Sequence, residues 1–147
     1  MRIRSMRAQI VIDTNVLYSA LYSRSGASYL LVDQIGRARF DMHLSVSLAA
    51  QYEDVAKRNI TDLGLDEQTI DDILDFIYRK ARHHRIYYLW RPFLPDPGDD
   101  FVLELAVAAG CSHIITHNLR HFRDVQRTFG ITPMTPLEFL QLIGVLK

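Results

Sequence analysis

The stretch Gln9-Ile10-Val11-Ile12-Asp13-Thr14-Asn15-Val16 sets a short apolar run against an abrupt acidic stop. An apolar run without alternation suits a strand inside a parallel sheet that is covered on both faces. Asp13 closes that strand. Beyond it, Leu17 to Leu21 and Tyr29 to Ile35 carry apolar residues at helical spacing, and Ser23-Arg24-Ser25-Gly26 breaks them into two helices.

The same alternation of strand and helix continues along the chain. Phe40 to Leu44 reads as a second strand, with Ser45 or Ser47 capping a helix that runs from Leu48 to Arg58. Ile70, Ile73, Leu74, Ile77 and Ala81 recur at three, four and seven positions, which marks an amphipathic helix beginning near Asp66. Ile86 to Trp90 reads as a third strand, and Pro92, Pro95, Pro97 and Gly98 force a loop after it. Asp99 to Ala109 returns to helical spacing and stops at Gly110. His113 to Thr116 and Ile131 to Met134 are the fourth and fifth strands. Thr135-Pro136-Leu137-Glu138 is a capping box with proline at the first helical position, opening a final helix expected to reach Leu146.

Strands alternating with helices predict an α/β domain of three layers, with a mostly parallel sheet of about five strands flanked by helices. A chain of 147 residues is expected to form a single domain, residues 1–147. Hydrophobic residues at 48% and charged residues at 23% match a globular protein and argue against a disordered one. Basic and acidic side chains balance at 17 each, so nucleic acid can be attracted only by a local patch. The lone Cys111, set among Ala108, Ala109 and Ile114, excludes an internal disulfide and reads as core packing. The basic start, Met1 to Arg7, is followed by an apolar run too short for a secretory signal, and no run of about 18 apolar residues occurs. A cytoplasmic protein without a membrane segment is the expectation, and Met6 serves as well as Met1 for a start.

In open α/β sheets the ligand site lies beyond the carboxyl ends of the strands. That rule selects Asp13 with Thr14 and Asn15, then Thr116, His117 and Asn118, then the acids Asp96, Asp99 and Asp100 before the fourth strand. Carboxylates facing one hollow repel one another unless a cation neutralises them. Oxygen donors without thiolates suit Mg²⁺ or Mn²⁺, and such ions promote phosphodiester hydrolysis. Each acid also has a plain structural role: Asp13 as a helix cap, Asp99 and Asp100 as partners of a helix dipole.

Read in order, Val11-Ile12-Asp13-Thr14-Asn15-Val16, Leu44-Ser45 with Gln51-Tyr52-Glu53-Asp54-Val55 and Lys57-Arg58, Asp96-Pro97-Gly98-Asp99-Asp100, Ile115-Thr116-His117-Asn118 and Thr135-Pro136-Leu137-Glu138-Phe139-Leu140 resemble PIN domains across the whole chain. The closest likeness is to the VapC-like toxins of toxin–antitoxin pairs. That resemblance implies a Mg²⁺- or Mn²⁺-dependent ribonuclease acting on RNA, a homodimer and an antitoxin partner. It also implies Asp13 as the first metal-binding acid and Asp99, beside Asp100, as the third. Thr116 would orient water. Where the second and fourth acids are expected, this chain carries Gln51 and Asn118, which lowers the charge available to a metal and predicts weakened activity. Glu53 lies about 200° around the helix from Gln51, and Asp54 one turn further along.

Other features carry less. Arg79 to Arg85 beside Tyr87, Tyr88 and Trp90 offers a basic surface next to aromatic rings, but reads first as a solvated helix end followed by strand core. Arg24 is a loop arginine available to a phosphate. His83-His84 and His117 with His121 lack the thiolates of a structural zinc site, and Leu119 to Phe122 reads as too short to fix a pair. The rival functional reading is a PIN fold without catalysis, serving as an RNA- or protein-binding module. A receiver-like phosphoryl-transfer domain is disfavoured because no Gly-rich phosphate loop or second phosphatase-loop aspartate is present.

Overall fold

Ile10, Val11 and Ile12 are at most 1% exposed, so the strand they form is covered on both faces, as an apolar run without alternation requires. The computed structural model describes residues 7–85 and 97–147. Within them, strands β1 (Ala8–Ile12), β2 (Phe40–Ser45), β3 (Arg82–His84), β4 (His113–Ile115) and β5 (Thr132–Met134) form one sheet in the order β3-β2-β1-β4-β5. Every pairing is parallel. Helices α1 (Thr14–Tyr22), α2 (Ala27–Asp33), α3 (Val46–Arg58), α4 (Ile60–Leu63), α5 (Glu67–Lys80), α6 (Pro97–Ala108), α7 (Val125–Phe129) and α8 (Pro136–Leu142) flank it, giving a three-layer α/β fold.

Local chemistry sets most of the boundaries. The Ser45 hydroxyl accepts from the Leu48 amide at 3.2 Å and starts α3, while Asp66 accepts from Thr69 at 2.7 Å and starts α5. Thr135 and Glu138 form the reciprocal capping box of α8. Tyr52, buried on α3, donates its hydroxyl to the Ile12 carbonyl and ties that helix to the end of β1. Leu44, Leu48, Leu103 and Phe139 are fully buried, and shortening any one to alanine would cost roughly 2–5 kcal/mol.

Several expectations change. The last helix ends at Leu142 rather than Leu146: Gly144 turns left-handed at φ 82, and the Val145 and Leu146 amides fold back on the Leu140 carbonyl. The expected strand Ile86 to Trp90, the proline loop after it and Asp96 lie outside the described residues. The third strand among the described residues is Arg82–His84, so these basic residues leave the helix end and form a sheet edge. Two short helices, α4 and α7, were not anticipated.

The topology fixes where a site can form. The chain moves outward from β1 to β3, then returns to place β4 on the other side of β1. Pairing of Ile12 with Ile115 brings Asp13 beside Thr116 at the carboxyl ends of the two central strands. This is the position where the strand order reverses.

Candidate functional site

Asp13 is the N-cap of α1, and both of its carboxylate oxygens are engaged. Oδ1 accepts from the Thr14 amide at 2.8 Å, and Oδ2 accepts from the Thr116 hydroxyl at 2.8 Å. The side chain is held in one orientation and nearly removed from water. Burial, and next the negative charge of Asp99, push its pKa up to about 6, against the lowering effect of the Thr116 and Thr14 hydrogen bonds. The cap role expected of Asp13 is therefore observed, and it leaves the carboxylate at the carboxyl end of β1.

Asp99 enters from the first turn of α6, which packs on β1, β2 and β4. Its Oδ2 stands 2.8 Å from Nδ1 of His121. His121 belongs to a 3₁₀ turn, Leu119–Phe122, that follows β4, and its charge also bears on Asp13. Short as it is, this turn fixes a histidine against an acid. Asp100 is completely buried beside Asp99.

Gln51 reaches the same region from α3, its amide oxygen accepting from the Thr14 hydroxyl at 2.6 Å. Thr116 spends its hydroxyl proton on Asp13 and accepts from the Asn118 amide at 3.0 Å, so its first task is to position the acid. The Asn118 side chain is exposed. Glu53 and Asp54 turn instead to Lys57 and Arg58, one helical turn on, each at 2.9 Å.

Glu104 was missed. It lies one turn beyond Asp100 on the same face of α6 and is 2% exposed. A lone acid inside Phe101-Val102-Leu103-Glu104-Leu105 was the signal available in the sequence.

The basic residues point elsewhere. Arg82 meets Asp41 at 3.7 Å, His84 lies 2.6 Å from His43, and His83 bonds the Tyr78 carbonyl. Arg24 is exposed. Tyr87, Tyr88 and Trp90 lie outside the described residues. Cys111 is core, its thiol pushed up to about 12 by burial.

Among the described residues no group of three or more His, Cys, Asp or Glu side chains is arranged to hold a metal. Two carboxylates with neutral oxygens around them still suit Mg²⁺ or Mn²⁺, ions that accept one or two protein carboxylates and keep several waters. The upward shift of Asp13 comes first from burial and only second from the charge of Asp99, and a cation held between the two acids would offset both.

The sequence model of the PIN domain matches residues 9–120. The chain belongs to the PIN-domain family. Among solved structures, this PIN domain is similar to a chain of VapBC2 from Rickettsia felis bound to a DNA fragment from their promoter, with TM-score 0.58, 11% identity, and coverage of 85% of this chain and 96% of that one. It is also similar to VapBC-1 from nontypeable Haemophilus influenzae, with TM-score 0.56, 12% identity, and coverage of 88% and 98%. At such identities the likeness establishes a shared PIN fold. Comparison with curated protein sequences gives no match. No helix among the described residues is long and apolar enough to cross a membrane.

Proposed function

We propose that this PIN domain is a Mg²⁺- or Mn²⁺-dependent endoribonuclease, the toxin half of a toxin–antitoxin pair, with activity weakened by its two amides. One observation carries the reading: Asp13 and Asp99, far apart in the sequence, are both bonded by residues at and just after the end of β4, Thr116 to Asp13 at 2.8 Å and His121 to Asp99 at 2.8 Å, and the charge of Asp99 bears on Asp13. The fold shared with the VapBC structures supports an antitoxin as partner. A homodimer and a cytoplasmic setting belong to the same proposal.

In this reading Asp13 and Asp99 bind the cation, with Asp100 adding charge behind them. A divalent cation there supplies Lewis acidity toward a phosphate oxygen and toward an attacking water. The chain's own work is to orient. Thr116 and the Thr14 amide lock the Asp13 carboxylate, His121 holds one oxygen of Asp99, and Gln51 and Asn118 offer amide oxygens in the places of acids.

The rival, a binding module without catalysis, is favoured by Gln51 and Asn118 alone. Incubation of an RNA panel with Mn²⁺ separates the two. Cleavage by the wild type that is lost in Asp13→Asn supports the enzyme, and equal background in both supports the module.

A further inference from the structure

A hollow of about 470 Å³ is lined by Tyr18, Ser19, Tyr22, Ser28, His117 and Leu137 among others, His117 being the residue that follows Thr116. Two routes connect it to Asp13. Along α1, which Asp13 caps, Tyr18 and Tyr22 lie about one and a half and two and a half turns on, a rise of about 7 to 14 Å. Across the sheet, His117 directly follows Thr116, and its amide donates to Asn15 at 3.3 Å.

The lining has the mixed character that a nucleobase needs. The Tyr18 and Tyr22 rings lie 6.2 Å apart and 27° from parallel, and Tyr22 is 64% exposed, leaving a ring face open. Ser28, itself buried, stands 2.8 Å from Nε2 of His117 and gives the hollow a polar pair. Leu137, half exposed on α8, adds apolar surface. Exposed aromatic and apolar groups gathered in a concave site with a few polar atoms mark a binding site rather than chance exposure.

We propose that this hollow takes one unpaired RNA base, stacked on Tyr22 and edged by the Ser28–His117 pair, from a nucleotide next to the one presented to the acids Asp13 and Asp99. The proposal deepens the ribonuclease reading and rests on it for the identity of the ligand. Stacking on an aromatic face is tolerant of base identity, so the hollow selects for a splayed, single-stranded base more than for sequence.

The test uses fluorescein-labelled octaribonucleotides in EDTA, each carrying one abasic position, with binding read by anisotropy for the full chain. One abasic position is expected to weaken wild-type binding roughly tenfold, and Tyr22→Ala to weaken the intact oligonucleotide by a similar factor. The two losses should not add in Tyr22→Ala, while Tyr22→Phe binds like the wild type. Unchanged binding in Tyr22→Ala, additive losses, or no binding at all would overturn the proposal. A change of oligomeric state in Tyr22→Ala, with RNA binding intact, would assign the hollow to a second copy and overturn it equally. Mn²⁺-dependent cleavage by the wild type that Tyr22→Ala leaves unaltered refutes the base site but keeps the nuclease. Tyr22-dependent binding without cleavage refutes the nuclease but keeps the base site.

Discussion

Nδ1 of His121 lies 2.8 Å from Oδ2 of Asp99, so a residue from the turn after β4 governs how an acid from α6 presents itself. Hydrogen bonds of this kind orient metal-binding carboxylates, and their loss costs about 10- to 100-fold in metal affinity. His121→Ala is expected to weaken Mn²⁺ binding by about tenfold, read by calorimetry on the full chain. His121→Asn, whose amide nitrogen sits near the position of Nδ1, should recover most of it. Equal affinity in all three proteins would remove His121 from the site.

Asp13 predicts a distinctive pH dependence. Its carboxyl is raised from 3.8 to about 6 in the folded chain, so the folded state holds the proton more tightly than the unfolded one. Its contribution to stability is full below pH 3.8 and is lost as pH rises through 6, a penalty of roughly 3 kcal/mol at neutral pH. His43, His113 and His117, lowered chiefly by burial, act in the opposite sense below their ordinary value of 6.5. The difference between wild type and Asp13→Asn isolates the acid. Asparagine retains the cap, so in EDTA the variant should be the more stable protein at pH 7.5, and the gap should close toward pH 4. Urea unfolding at both pH values decides.

Gln51, proposed to stand where the family carries an acid, accepts from the Thr14 hydroxyl. Gln51→Glu keeps that acceptor and adds a charge beside Asp13. The expected result is tighter Mn²⁺ binding, seen as a larger rise of Tm in a metal titration, together with a pKa of Asp13 raised further when metal is absent. An unchanged titration would mean that position 51 does not face the metal.

Tyr52→Phe removes the hydroxyl that α3 donates to the Ile12 carbonyl, at a buried position. A loss of about 1–2 kcal/mol is expected in denaturant unfolding, with the slope unchanged. Because Ile12 precedes Asp13, the RNA cleavage proposed for this domain should fall by more than the fraction unfolded accounts for.

What the sequence revealed follows the range of the forces involved. Strand β1, the cap at Asp13 and the capping box at Thr135 obey rules acting within four residues, and each stands where those rules put it. Strand β3 obeys no such rule. Arg82, His83 and His84 are polar and mostly exposed, and they are a strand only because Leu44 and its neighbours pair with them. The partner of His121 was hidden for the same reason, since a four-residue turn acquires meaning only when α6 brings Asp99 to it. Glu104 was masked by its apolar neighbours, whose helical periodicity is legible while the burial of one acid among them is not.

The reversal of strand order between β1 and β4 has a consequence for synthesis. Asp13 and Thr14 leave the ribosome early, while Asp99, Thr116 and His121 emerge only after most of the chain, and the central pairing cannot close before β4 is made. A nascent or truncated polypeptide ending before residue 113 carries Asp13 and Asp99 but lacks Thr116 and His121, the residues that hold their carboxylates, so the two acids gain their fixed orientation only when the last quarter of the chain is made.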